Sequence, residues 1–124
     1  MTFVSVDTFF RCNNAKWQSN RLGNMLLLVG TVADLLSLGI AGAFDAALVD
    51  GDHHYEPCLT DLVACERLLK PGAPLLAHDY EAVPGTSVSG KEGVKRAVNE
   101  FAAARGYRVD RPAGSLARLV KQQP

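Results

Sequence analysis

Two short apolar runs that each stop at a cluster of polar and ionisable residues constrain this chain more than any other feature. Phe44 to Val49 runs into Asp50-Gly51-Asp52-His53-His54-Tyr55, and Leu75 to Ala77 runs into His78-Asp79-Tyr80. Short continuous apolar runs bounded by turn residues suit strands buried on both faces. Between them Leu59, Leu62, Val63 and Leu69 keep a helical period, Pro57 fits a first helical turn, and Lys70-Pro71-Gly72 is a stop. A strand, helix, strand order of this kind calls for a parallel pair, since parallel strands need a long crossover between them.

The rest of the chain continues the alternation. Met1 to Phe10 is β-rich through Phe3, Val4, Val6, Phe9 and Phe10. Ala15 to Leu22 reads as a short helix with Trp17 turned inward, closed by Gly23-Asn24; Met25 to Val29 reads as a buried strand, and Val32 to Leu38 as one or two helical turns stopped by Gly39. Ala82 to Gly90 is a loop, and Ser89 and Glu92 have capping-box spacing ahead of a helix with Val94, Ala97, Val98 and Phe101 on one face and Gly106 at its end. Tyr107 to Val109 and Leu116 to Val120, around Pro112-Ala113-Gly114, have the pattern of a closing hairpin. The expected fold is a single α/β domain over residues 1–124, with a mainly parallel sheet, helices on both faces and a C-terminal antiparallel hairpin.

Composition narrows the function. Thirteen Lys and Arg balance thirteen Asp and Glu, so there is no excess positive field for nucleic acid or anionic lipid. The longest apolar run, Met25 to Val29, is far short of the roughly 20 residues that cross a bilayer, and the N-terminus lacks a secretory pattern. A cytoplasmic protein is expected. Cys12, Cys58 and Cys65 form no Cys-x-x-Cys pair; Cys58 and Cys65, seven apart on one helix, lie too far apart along it for a disulfide, and buried thiols are expected.

In an open α/β sheet, ligands bind at the carboxyl ends of the strands. Asp7, Gly30-Thr31, Asp50 to Tyr55 and His78 to Tyr80 all fall there. If the third and fourth strands are neighbours, Asp50 and Asp79 end about 5 Å apart, close enough to share a divalent cation or a proton. Quieter roles exist for the same residues. Asp50 and Asp52 have the chemistry of helix N-caps, and His53, His54 and His78 of ordinary loop residues. Tyr55 and Tyr80 suit packing over the sheet end, and Lys91, Lys95 and Arg96 suit a solvated helix face.

The segment from Phe44 through Asp-Gly-Asp-His-His-Tyr-Glu to Leu-Leu-Lys-Pro-Gly-Ala-Pro-Leu-Leu-Ala-His-Asp-Tyr resembles the class I S-adenosylmethionine-dependent methyltransferases. The resemblance is to the branch with an Asp-Gly-Asp-His-x-Tyr segment, which includes O-methyltransferases of small molecules. It extends over Phe44 to Phe101 and is weaker from Met1 to Gly42. It implies an incomplete Rossmann-like methyltransferase fold, with S-adenosylmethionine as cofactor and a small molecule as partner. Asp7 takes the position that binds the cofactor ribose, Gly30, Thr31 and Val32 border its adenine, and Asp50 is a further cofactor position. Asp50 and Asp79 match metal-holding positions, with His78 in place of a third acid, and His53 matches a general base. Histidine beside the carboxylates favours zinc, manganese or iron over magnesium.

In the family, a first strand and a glycine-rich loop precede the strand ending at Asp7, and this sequence does not include them. The missing strand would lie between those ending at Asp7 and Asp50. Either Met1 to Phe10 moves inward to pair with Phe44 to Val49, or another chain covers the gap; a homo-oligomer is expected. Three functions stand open: an O-methyltransferase, a remnant that binds a ligand without transferring methyl, and a structural module.

Overall fold

The computed structural model describes residues 3–7, 25–29, 31–81 and 91–122. Among these the elements run β1 (Phe3–Asp7), β2 (Met25–Val29), α1 (Val32–Ser37), β3 (Ala47–Val49), α2 (Tyr55–Leu68), β4 (Leu75–Ala77), α3 (Lys91–Arg105), β5 (Tyr107–Ala113) and β6 (Leu116–Lys121). The expected helix over Ala15 to Leu22, with Trp17, and the expected loop over Ala82 to Gly90 lie outside the described residues.

A mixed four-stranded sheet has the order β3-β4-β6-β5. β3 and β4 are parallel, with Ala47 opposite Leu75 and Val49 opposite Ala77, and β6 runs antiparallel to both β4 and β5. β1 and β2 form a separate parallel pair, Phe3 opposite Met25 through Asp7 opposite Val29. The first strand therefore does not move inward to pair with Phe44 to Val49. Among the described residues β1 and β3 each have a partner on one side only.

Three elements differ in extent from their sequence pattern, each for a local reason. The third strand is shorter than Phe44 to Val49, because Phe44 bridges to Leu69 at the end of α2 and pairing with β4 starts only at Ala47. Lys70 fixes that detour, donating its backbone N–H to Phe44 O at 2.9 Å and its ammonium to Asp45 at 2.7 Å. Helix α2 starts at Tyr55, so Pro57 still falls in the first turn, where a missing N–H costs nothing. The hairpin turn is tighter than Pro112-Ala113-Gly114 implies: Ala113 pairs with Leu116, and a register irregularity between Asp110 and Ala113 absorbs Pro112 on the outermost strand.

The core lies between one face of the sheet and the helices α2 and α3. Val49, Leu75, Ala77, Ala117 and Leu119 meet Cys58, Leu62 and Cys65 of α2 and Val94, Ala97, Val98 and Phe101 of α3. Alanines at 77, 97 and 117, all fully buried, let the helix backbones approach the sheet closely. Phe101 stacks on Tyr107 at 5.5 Å, and Gly106, at φ +73°, turns the end of α3 straight into β5. On the opposite face Leu48, Leu76, Arg118 and Asp110 form one cross-strand row, in which Leu48 is 57% exposed and Arg118 pairs with Asp110 at 3.0 Å. α1 packs beside α2, and its start is a capping box: Thr31 Oγ1 accepts from Asp34 N at 3.3 Å, while Asp34 accepts from Thr31 N at 2.6 Å.

Burial raises the Cys58 thiol to about 11 and the Cys65 thiol to about 12, with nearby Asp61 adding to both. Both thiols are then protonated near neutral pH and lack the thiolate that alkylating reagents need. Iodoacetamide at about pH 8 is expected to leave Cys58 and Cys65 unmodified in the folded protein and to label both after denaturation, as mapped by peptide mass. Phe101→Ala removes the largest fully buried side chain among the described residues and is expected to cost about 3–5 kcal/mol, read from urea unfolding of the two proteins.

Candidate functional site

The parallel pairing of β3 and β4 brings two strand ends out side by side. Val49 and Ala77 are opposite one another, and His78 N donates to Val49 O at 2.9 Å. Asp50 and the His78-Asp79 pair thus leave the sheet at one edge, as the spacing of the two apolar runs implied. Asp79 takes a left-handed backbone conformation, φ +59°, which aspartate tolerates better than most residues. That turn accompanies the return of its carboxylate toward the strand ends.

The carboxylate of Asp79 is the hub. Its Oδ2 lies 2.9 Å from His53 Nε2 and 3.1 Å from His78 Nδ1, and His78 Nδ1 is also 3.4 Å from Asp50 Oδ1. Asp79 is 16% exposed and His53 29%, so the pair is sheltered but open to a ligand. An ionised carboxylate only accepts hydrogen bonds, so the proton on a neutral His53 sits on Nε2 and the lone pair on Nδ1. The imidazole is held in one tautomer with a free basic nitrogen.

Among the described residues, one set has metal-ligand chemistry: donor atoms of Asp50, His53 and Asp79 all lie within 4.8 Å of one another. Metal bonds of about 2.0–2.4 Å allow ligand atoms that far apart, so the set fits a divalent cation. His53 takes the third place here, and His78, expected there from the sequence, touches both carboxylates from beside it.

Asp52 does not cap helix α2. The N-cap is His54, whose side chain makes no capping bond; Asp52 Oδ1 instead accepts from His54 N at 2.8 Å and faces His54 Nδ1 at 2.5 Å. The His54 backbone bond, then its ring, holds the Asp52 carboxyl below its ordinary range. This local turn uses His54 and leaves His53 to face Asp79. Tyr80 is buried and tied at both ends, its N–H to Ser115 O at 2.8 Å and its hydroxyl to Asn99 at 2.7 Å. Tyr55 donates to Glu100, which also accepts from Arg96 Nε at 3.0 Å, and the guanidinium lies 4.0 Å from the centre of the Tyr55 ring. The Glu100 bond raises the Tyr55 hydroxyl. Lys95 and Arg96 are exposed, as expected, and each has a carboxylate partner, Glu81 and Glu100.

Asp7 is the last residue of β1, opposite Val29, and Gly30 lies outside the described residues. Thr31 spends its hydroxyl on the capping box, and Val32 is half-buried against the core. Asp61 was not legible in the sequence: it reaches from α2 so that a Cβ on Gly51 would lie 3.1 Å from its Oδ2. Its only signal was its place one turn past Pro57. Burial, then the charge of Asp52, raises the Asp61 carboxyl.

The model of a family described as "Methyltransferase domain" matches residues 1–80. No curated protein matches the chain. Among solved structures, a Corynebacterium glutamicum protein aligns over 100% of this chain and 62% of its own at a TM-score of 0.72 and 17% identity. The O-methyltransferase TomG of Streptomyces achromogenes, involved in tomaymycin synthesis and solved with SAM, aligns over 98% and 62% at 0.62 and 18%. An O-methyltransferase from Bacillus cereus, solved with SAH, aligns over 97% and 63% at 0.64 and 15%. This chain thus spans less than two thirds of the length of each.

Two outcomes follow from the geometry. At φ +59°, Asp79→Asn is expected to fold with nearly wild-type stability, whereas Asp79→Ala should lose about 1 kcal/mol more by thermal unfolding, because alanine lacks the local bonding that eases this conformation. The raised Asp61 binds protons more tightly folded than unfolded, so its ionisation lowers stability as pH rises through the carboxylate range. Asp61→Asn should therefore melt higher than wild type at about pH 7 and lose that advantage below about pH 3.5.

Proposed function

Since this chain belongs to the methyltransferase-domain family, we propose that it serves S-adenosylmethionine-dependent methyl transfer to a hydroxyl group of a small molecule, with His53 as general base. The observation that carries this reading is the His53 to Asp79 pair at the adjoining ends of β3 and β4. When bound, S-adenosylmethionine supplies an electrophilic methyl group. Asp7, Gly30, Thr31, Val32 and Asp50 are the positions assigned to holding it, with the Thr31 hydroxyl already committed to its own helix. His53 Nδ1 would accept the proton of the acceptor hydroxyl as that oxygen takes up the methyl group. Asp79 fixes the ring's tautomer and stabilises the imidazolium that results.

A divalent cation is a second element of the proposal. Asp50 and Asp79, with His53 or His78 as nitrogen donor, would hold it, and such an ion lowers the pKa of a hydroxyl. If His53 ligates, it is not the base. The effect of added zinc, manganese or magnesium on the His53→Ala variant separates these roles.

A homo-oligomer belongs to the same proposal. Its support is the one-sided pairing of β1 and β3 among the described residues, together with the 57% exposure of Leu48 on β3. A single monomeric species in sedimentation velocity at micromolar concentration would remove it. The non-catalytic reading, a ligand-binding or assembly module, is favoured by the same open edges.

Calorimetric titration with S-adenosylmethionine and S-adenosylhomocysteine, with and without manganese, tests the function. Micromolar binding is expected; no heat at millimolar cofactor refutes methyl transfer by this chain. His53→Ala is expected to lower turnover by about 10²- to 10⁴-fold while leaving cofactor affinity unchanged.

A further inference from the structure

Besides Arg96, Asn99 and Glu100, helix α3 meets the site through a residue with no side chain. Gly93 lies in its first turn, and a Cβ placed there would sit 2.5 Å from the carbonyl oxygen of His53, 2.8 Å from Tyr55 N and 3.1 Å from His54 C. All three atoms are backbone, so no rotamer change relieves the contact, and the helix or the His53 segment would have to move. The approach is held from the side as well. Glu100, less than two turns along α3, accepts from Tyr55, and Arg96 completes the clamp. Val94, next to Gly93, is buried in the core, which keeps the helix from sliding away.

We infer that Gly93 is a positioning residue for His53: the bare α-carbon lets α3 abut the His53–Tyr55 backbone, and this contact aims the His53 ring at Asp79. The inference rests on the reading of His53 as base, and its consequence there is direct. A reacting group displaced by about 1 Å loses on the order of 10²-fold in rate. Gly93→Ala moves the ring without changing the chemistry of any ionisable residue.

The test reads the ring itself and needs no acceptor. Long-range proton–nitrogen NMR spectra of the three histidines, recorded with all three rings neutral, report the tautomer of each. Wild-type His53 is expected as the Nε2–H form, and Gly93→Ala should return it to the mixed tautomers of a solvated ring. His54, bonded to its neighbour Asp52, should not change. Ala104→Gly, an exposed substitution that weakens the same helix far from the site, should leave His53 as in wild type. An unchanged His53 in folded Gly93→Ala overturns the inference, as does a shift of His53 in Ala104→Gly or a parallel change in His54. If Gly93→Ala does not fold, Tyr55→Phe decides, since it removes only the bond to Glu100: a partial loss of the Nε2–H form supports the inference, and an unchanged ring overturns it. These outcomes hold whether or not the chain transfers methyl, so failure of the proposed function and failure of this inference are told apart.

Discussion

The parallel ladder between β3 and β4 is the constraint on which the rest depends. It is only three residues long on each strand, yet its register sets Val49 beside Ala77 and so decides that Asp50 and Asp79 emerge together. A slip of β3 by one residue would turn Leu48 toward the helices and Val49 away from them. The fully buried alanines on the inner face, and the fit of α2 and α3 against them, therefore fix the site as much as they fix the core.

The same packing explains how a sheltered polar cluster is affordable in a small domain. The carboxylates and histidines satisfy one another at the rim of the sheet, where water still reaches them, while the apolar contacts lie one layer below. Tyr80 joins the two layers, buried in the core and hydrogen-bonded to α3 and to the hairpin turn. The hairpin is thus a brace for the site from the strand next to β4.

Much of this was legible in the sequence because it depends on period and punctuation. The runs Met25 to Val29 and Leu75 to Ala77 matched their strands, and Val94, Ala97, Val98 and Phe101 were buried as their spacing required. The strand-helix-strand order made Asp50 and Asp79 neighbours only if the two strands were adjacent, which the pairing of β3 with β4 supplies. What escaped depends on contacts between distant segments. The detour of Phe44 to Leu69 and the reach of Asp61 to Gly51 are set by how α2 lies on the sheet, not by local pattern. Asp52 looked like an N-cap by residue type, but His54 offered its backbone and ring first. Gly93 stood in the sequence as the first residue of a Gly-Val-Lys-Arg-Ala-Val helix start resembling the family's, but its close approach to the His53–Tyr55 backbone is set by how α3 lies on the sheet.

The left-handed turn at Asp79 also narrows how this chain can diverge. Aspartate, asparagine and glycine suit that backbone, and both alternatives are reachable from an aspartate codon by a single base change. Either keeps the turn and discards the charge that the two histidines share. A descendant can therefore lose the hub of its site in one step without losing its fold, whereas glutamate, also one base change away, keeps the acid but suits that backbone less.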